Sequence, residues 1–230
     1  MQDLLWLEFI GLWGTGKSTL INKLKKDLKK YNINVETSSS YFKLKKSSKF
    51  FIIFYNFFKT FETSIFISYI LINHFIRLKI KKNNLGTDLI KTFFLCYQSR
   101  IFSLFNSEKN YFLWEGEFHL IPFLDLDYKK KERLVSLLLK ISKPNYVRFV
   151  YLNIPLNKTI ENINFDQKTK KNIRFSKYQL KIYKKYQVNA IQHQNELIEI
   201  LNKKGFFIYN IDENCSSYNS LLEDVLNHRK

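Results

Sequence analysis

Residues 11–18 read Gly-Leu-Trp-Gly-Thr-Gly-Lys-Ser, which has the Gly-x-x-x-x-Gly-Lys-[Ser/Thr] spacing of a loop that wraps phosphate groups. Three of the chain's six glycines fall within these eight residues. An apolar run, Leu4–Ile10, precedes the loop, and a helical pattern begins near Lys17. The motif therefore predicts a strand, a phosphate-binding loop and a helix in succession, the unit from which an α/β fold is built.

The loop composition also predicts which atoms contact a nucleotide. Glycines allow consecutive backbone N–H groups to point into one concavity at the start of a helix, where an anion is favoured. Lys17 would reach the β- and γ-phosphates, and Ser18 would place its hydroxyl on Mg²⁺. We therefore expect ATP and Mg²⁺ as cofactors. The expected nucleotide-binding residues are Gly11, Gly14, Thr15, Gly16, Lys17, Ser18 and Thr19.

The remaining pattern alternates short apolar runs with helical segments, which is typical of a parallel sheet. Further strands are predicted at Asn32–Thr37, Tyr111–Trp114, Tyr146–Ile154 and Phe206–Ile211. A long helix is predicted over Lys177–Lys203, ending at Gly205. We expect an α/β fold with about five parallel strands and helices on both faces. One domain, 1–230, would carry a helical insertion at about 41–106.

Charge and cysteine content constrain the partners and the compartment. The formal net charge of +18 fits attraction to polyanions, and it fits equally a lysine-rich composition set by codon bias. Nucleic acid is therefore a possible partner that the charge alone does not favour. A homodimer is also possible. Cys96 and Cys215 lie far apart without metal-ligand spacing, which argues against a disulfide framework and favours a cytoplasmic location.

The apolar stretch 50–80 is too interrupted to span a membrane. Lys59, Glu62 and Arg77 divide it, and its longest uncharged run, Thr63–Ile76, has 14 residues. A spanning helix needs about 20 predominantly apolar residues. We expect a buried helix here, with attachment to a membrane face as the less favoured alternative.

The loop and several later segments together resemble those of thymidylate-kinase-like and deoxynucleoside-kinase-like P-loop phosphotransferases. The resemblance lies in the loop with its flanks, in 93–105 as an Arg-bearing helix, in Phe112–Gly116 as a third strand with an acidic end, and in 149–156 as a fourth strand and turn. The departures are Glu115-Gly116-Glu117 in place of Asp-Arg-Tyr/Phe, Thr37–Ser40 in place of Arg-Glu-Pro, and Asn153 in place of Asp. They argue against thymidylate as the substrate and leave phosphoryl transfer intact.

The resemblance implies a three-layer α/β P-loop NTPase fold with a short basic lid at about 164–177, and it implies roles for residues outside the loop. Glu115 is expected near Mg²⁺ and the acceptor hydroxyl, with Glu117 as a weaker rival. Arg100 is expected to bind an acceptor phosphate or, equally, to face solvent. Among the lid residues Lys168, Lys170, Lys171 and Arg174, Arg174 is the chosen catalytic cation. Trp13 and Trp114 are expected to form core or pocket walls, with stacking on a substrate ring as the alternative.

The predicted function is an ATP-dependent small-molecule kinase with Lys17, Glu115, Arg100 and Arg174 as catalytic residues. The acceptor would be a nucleoside, a nucleoside monophosphate or a sugar-type precursor. A P-loop NTPase that acts on or binds nucleic acid is the alternative. A GTPase switch is disfavoured because the chain has no Asn-Lys-x-Asp motif.

Overall fold

The computed structural model describes residues 5–37, 60–80, 89, 92–101, 111–124, 126–141, 147–169, 177–214 and 216–227. The strands are β1 (Leu5–Ile10), β2 (Val35–Thr37), β3 (Tyr111–Trp114), β4 (Val147–Leu152) and β5 (Ile208–Ile211). They form one five-stranded sheet in the order β2-β3-β1-β4-β5. Every pairing is parallel, with Leu5 opposite Tyr111 and Trp6 opposite Val147 on the two sides of β1. The predicted α/β fold class is confirmed.

Helices connect the strands, as parallel pairing requires. They are α1 (Lys17–Lys30), α2 (Phe61–Ile80), α3 (92–101), α4 (Tyr128–Ile141), α5 (Leu156–Thr169), α6 (Lys177–Lys203) and α7 (Tyr218–Asn227). A 3-10 helix, Glu117–Phe123, follows β3 closely. No helix in the described part of the chain combines the length and the hydrophobicity that crossing a bilayer demands.

The alternation of side chains along β1 divides the core into two halves. Leu5, Leu7 and Phe9 pack into the cluster that holds the apolar faces of α1 and α7. Trp6 and Ile10 pack into the opposite cluster with residues of α3, α4 and α6. Glu8 belongs to this second face because side chains two apart on a strand point the same way. A carboxylate is thereby placed inside an apolar layer.

The helix α1 shows why the loop leads directly into a stable element. Its apolar residues recur at three- and four-residue intervals, and Leu20, Ile21, Leu24 and Leu28 are buried while most of its lysines are exposed. Gly16 precedes the helix in the left-handed conformation, with φ 84° and ψ 16°. The N-terminus of α1 is thus held at the carboxyl end of β1.

Several element boundaries differ from the predictions. The second, fourth and fifth strands are shorter than predicted, whereas β3 and α6 have the predicted limits. The helix α5 continues to Thr169, so the first half of the predicted lid is helical and residues 170–176 lie outside the described part. Of the predicted insertion 41–106, the structure describes 60–80, 89 and 92–101, all helical except Thr60. The 3-10 helix and α4 were not predicted.

Candidate nucleotide-binding site

The loop between β1 and α1 has the backbone geometry that phosphate binding requires. Gly11, Gly14 and Gly16 have φ angles of 144°, 79° and 84°, a region that L-residues with side chains rarely adopt. These angles turn the chain sharply, and the loop runs into the N-terminus of α1, which has no side-chain cap. The first N–H groups of a helix have no partner within the helix and favour an anion. The three glycines are therefore needed for the shape of the loop.

The ammonium group of Lys17 lies inside this loop. Its Nζ donates hydrogen bonds to the carbonyl oxygens of Gly11 at 3.0 Å and Leu12 at 2.7 Å. The side chain is buried, and burial lowers the pKa of Lys17, although the neighbouring Glu115 opposes this effect. Two of the groups that hold the cation are thus neutral carbonyl oxygens, which an anionic ligand can replace.

Glu115 lies at the carboxyl end of β3 and contacts the start of α1. The hydroxyl of Ser18 donates a 2.9 Å hydrogen bond to Oε2 of Glu115. The Nζ of Lys17 lies 3.7 Å from Oε1 of the same carboxylate. Burial alone would raise the pKa of Glu115, but the charge of Lys17 and the hydrogen bond from Ser18 lower it below its usual value. Glu115 is consequently ionised at neutral pH.

The two threonines expected to bind nucleotide differ in their surroundings. Thr15 is buried, and its hydroxyl donates a 2.8 Å hydrogen bond to the carbonyl of Leu12. Its side chain therefore stabilises the loop, and only its backbone N–H is left for a ligand. Thr19 is exposed in the first turn of α1, next to Ser18.

Arg100 is not placed to contact an acceptor phosphate, contrary to the prediction. It lies on α3 with no exposed surface, and its guanidinium donates to the carboxylates of Glu8 and Glu117. These carboxylates raise its pKa despite burial, which acts in the opposite direction. Glu117 is thereby also removed as a rival of Glu115, since it faces Arg100. The physical reason is that Glu8, on the apolar face of β1, needs a buried cation.

Burial is the main influence on the titration of Glu8, and its pKa is raised even though Arg100 lies beside it. Burial raises the pKa of Glu8 to about 7, with Glu117 acting in the same direction and Arg100 in the opposite one. The indole N–H of Trp6 also donates to Glu8 Oε2, at 3.0 Å. This buried cluster joins β1, α3 and the segment that follows Glu115.

The predicted lid cations cannot be compared with the site. Arg174, Lys170 and Lys171 lie outside the described residues, and the backbone of Lys168 belongs to α5. The role of Arg174 stays a prediction.

Three further residues at the site were not predicted. His119 is buried, and burial together with the charge of Lys17 lowers its pKa to about 4, so its ring is neutral. Asn162 donates to the carbonyl of Gly14 at 2.9 Å, and Gln187 donates to the carbonyl of Trp13 at 2.7 Å. A lone histidine and two helical amides carry no spacing signal, so sequence patterns do not single them out.

The tryptophans have the wall and core positions that were predicted. Trp114 is fully buried and belongs to the core on the Glu8 side of the sheet. Trp13 is partly buried, and its ring stacks on Phe123 with a centroid distance of 4.0 Å and an interplanar angle of 10°. Trp13 therefore anchors the loop to the end of the 3-10 helix.

The comparison with protein families agrees with the fold and the loop. The model of the KAP family P-loop domain matches residues 5–204, which include the whole sheet except β5. This match supports the P-loop NTPase superfamily and gives no support to the resemblance to thymidylate and deoxynucleoside kinases. No curated protein matches the chain. Since the match covers most of its length, the chain belongs to the KAP family of P-loop NTPases.

Proposed function

We propose that the chain binds Mg·ATP in the loop Gly11–Thr19 and hydrolyses its terminal phosphate. The observation that carries this proposal is the contact of Ser18, Lys17 and Glu115. A hydroxyl, an ammonium and an ionised carboxylate meet where a helix N-terminus adjoins the end of a strand. A P-loop NTPase needs these three groups for the metal, the phosphates and the attacking nucleophile.

The residues present fit a magnesium ion. The Oγ of Ser18 and the Oε2 of Glu115 lie 2.9 Å apart, and both are the hard oxygen ligands that Mg²⁺ prefers. Ser18 would bind the ion directly, and Glu115 would bind it directly or through a water molecule. The ion supplies neutralisation of the charge on the phosphate oxygens.

The chain's own groups then account for the reaction. Lys17 would exchange the carbonyls of Gly11 and Leu12 for phosphate oxygens, and the backbone N–H groups of the loop would hold the remaining charge. Glu115 would accept a hydrogen bond from a water molecule and orient it towards the γ-phosphorus. A bond forms from the water oxygen to phosphorus and the bond to the bridging oxygen breaks, so that ADP leaves; the proton that the water loses passes to the phosphate product or to solvent.

Transfer to a small hydroxyl or phosphate acceptor is the finer form of this proposal. It is supported by the position of Glu115, because a carboxylate that orients water can equally orient an acceptor hydroxyl. It loses the support that Arg100 was expected to give, since that guanidinium pairs with Glu8 and Glu117. Hydrolysis is therefore the primary proposal. The assay below determines whether the phosphate is transferred to water or to a small-molecule acceptor.

The test measures ATP binding by calorimetry and ADP release by a coupled assay, using the full chain. We expect Lys17→Ala to abolish binding, and Glu115→Gln to keep binding while slowing turnover by about 10²- to 10⁴-fold. Lys25→Ala and Glu132→Gln are matched controls, since both residues are exposed on helices of the domain. Chelation of Mg²⁺ should stop ADP release in every active variant.

The same assay identifies the acceptor. ADP release in buffer alone supports hydrolysis, whereas release that requires an added nucleoside, nucleoside monophosphate or sugar supports the kinase. Stimulation by DNA or RNA supports a nucleic-acid-dependent NTPase. Absence of magnesium-dependent binding to ATP in the unmodified chain would contradict the proposal as a whole.

A further inference from the structure

Two carbonyl oxygens of the loop are bound by amide side chains from distant helices. Gln187, on α6, donates from Nε2 to the carbonyl oxygen of Trp13 at 2.7 Å. Asn162, on α5, donates from Nδ2 to the carbonyl oxygen of Gly14 at 2.9 Å. These donors lie 174 and 148 residues from their acceptors along the chain. Neither bond belongs to the sheet or to a helix.

The planarity of the peptide bond gives these contacts a consequence for the nucleotide. In a trans peptide the C=O and the following N–H point in opposite directions. Holding the carbonyl of Trp13 towards α6 therefore directs the N–H of Gly14 away from α6. By the same geometry, Asn162 fixes the direction of the N–H of Thr15. Both N–H groups belong to the loop whose amides bind phosphate.

We propose that Gln187 and Asn162 are positioning residues, which aim two backbone N–H groups of the loop at the phosphates and so set the affinity for the triphosphate. This inference rests on the proposed function, because it assumes that the loop binds a nucleotide. The two side chains act through the peptides of Trp13 and Gly14 and do not contact the ligand. Their effect on affinity arises from preorganisation, since the loop then spends less free energy on ordering when the ligand binds.

The packing around Gly14 shows that α5 lies directly against the loop. A Cβ atom added to Gly14 would lie 2.5 Å from the carbonyl oxygen of Thr159 and 2.8 Å from Cγ1 of Ile163, both on α5. On the neighbouring residue, the ring of Trp13 stacks on Phe123. The Trp13–Gly14 segment is thus enclosed by α5, α6 and the 3-10 helix, and a change in any of them reaches these two peptides.

The arrangement also links the nucleotide to the two helices that flank residues 170–176. If the bound nucleotide favours one orientation of the Trp13 and Gly14 carbonyls, it also favours the positions of α5 and α6 that can donate to them. Linkage makes this relation reciprocal. Binding of ATP should therefore stabilise both helices, and it should do so less when the amides are absent.

The experiment compares two buried glutamines on one helix. Gln187→Met removes the donor to Trp13 at similar volume, and Gln194→Met is the control. Gln194 is 2% exposed on the same helix α6, and neither amide atom has a hydrogen-bond partner among the described residues. By calorimetry with Mg·ATP, we expect Gln187→Met to weaken binding about 5- to 20-fold, the equivalent of one lost hydrogen bond. Gln194→Met should change affinity less than about twofold.

Asn162→Ala is the second variant, because its position is exposed and the substitution is compatible with folding. Asn157→Ala, on the same helix and also exposed, is its control. Gln187→Met and Asn162→Ala should each weaken ATP binding and raise KM for ATP. At saturating ATP, kcat should stay within about threefold of the unmodified protein. A defect in folding alone would lower the fraction of active protein, and it would not raise KM while leaving kcat per active molecule unchanged.

Hydrogen exchange of the backbone amides is the second readout. We expect Mg·ATP to slow exchange in residues 156–163 and 185–194 of the unmodified chain, and Gln187→Met to reduce the protection in the second segment. If the unmodified chain binds ATP and Gln187→Met and Asn162→Ala bind as their controls do, the positioning role is wrong while the proposed function stands. If the unmodified chain does not bind ATP, the proposed function itself fails and the inference with it.

Discussion

The hydroxyl of Ser18 donates a 2.9 Å hydrogen bond to the carboxylate of Glu115, although 97 residues separate the two in sequence. This contact exists because β3 lies beside β1 in the sheet, so the carboxyl ends of the two strands meet. The Ser18 hydroxyl at the start of α1 and the Glu115 carboxylate at the end of β3 then lie within hydrogen-bonding distance of each other. The strand order therefore brings together the two oxygen-bearing side chains that the proposed magnesium site requires.

Ser18→Ala should raise the concentration of Mg²⁺ needed for half-maximal ADP release by about tenfold, because one oxygen ligand is lost. Ser18→Thr retains the hydroxyl and should stay within a few-fold of the unmodified protein. The measurement is a magnesium titration at saturating ATP. An unchanged requirement in Ser18→Ala would show that Ser18 does not ligate the ion.

Gly14→Ala should destabilise the protein and weaken ATP binding by about tenfold or more, because the new Cβ would collide with the Thr159 carbonyl at 2.5 Å. Gly205→Ala is the matched control. Gly205 has φ 77°, close to the 79° of Gly14, but a Cβ there meets no atom within 4 Å. Gly205→Ala should lower the free energy of unfolding only through backbone strain, by about 1–2 kcal/mol. It should leave the affinity for ATP unchanged. Equal effects of the two variants on ATP affinity would contradict the packing argument.

Arg100→Met should destabilise the fold by about 3–5 kcal/mol, since it leaves Glu8 and Glu117 buried without their cation. Adding Glu8→Gln and Glu117→Gln to that variant should recover part of this loss, because neutral amides cost less to bury. The exposed Arg133→Met is the control, with an expected change below about 1 kcal/mol. Unfolding in urea gives all these values. A small effect of Arg100→Met would mean that the cluster is not essential.

The pKa of Glu8, raised by burial to about 7, makes its contribution to stability depend on pH with a defined sign. Between pH 4.5 and 7 the folded state keeps a proton on Glu8 that the unfolded state has released. The stability that this proton provides is complete below pH 4.5 and is lost as the pH rises through 7. The full effect of such a shift is on the order of 3 kcal/mol.

Glu8→Gln removes this titration, so its free energy of unfolding should improve relative to the unmodified chain as the pH rises from 4.5 to 7. The groups that face Glu8 include Arg100 from α3, Glu117 from the 3-10 helix and Trp6 from β1. They are retained in the variant. The measurement is urea unfolding at several pH values, with the exposed Glu132→Gln as control. Parallel curves for the unmodified chain and Glu8→Gln would show that Glu8 is ionised throughout this range.

The phosphate-binding loop, the parallel sheet and the placement of Glu115 could be predicted because each has a local signature. The loop has fixed glycine spacing, and Glu115 follows four apolar residues, a pattern that predicts the end of a buried strand. The lid stays a prediction from the resemblance and a basic, polar stretch, and α5 continues to Thr169 because nothing before that residue breaks a helix.

The environment of Arg100 could not be predicted from its own helix. Its partner Glu8 lies 92 residues away and meets it only because α3 packs on the face of β1 that carries Trp6 and Ile10. In retrospect, a glutamate inside the apolar run Leu4–Ile10 is the signal, since a buried carboxylate requires a cation. Asn162 and Gln187 give no such signal. Asn and Gln are common on exposed helix surfaces, and the contacts of these two with the loop depend on tertiary packing that the sequence does not reveal.

The stacking of Trp13 on Phe123 provides an intrinsic optical reporter of the loop. The chain has three tryptophans, and Trp6 and Trp114 have no exposed surface, so a polar quencher such as iodide reaches mainly Trp13. A change in the loop when ligand binds would alter this quenching without any attached dye. Stopped-flow emission measurements can therefore time the loop's response to ATP in the unlabelled protein.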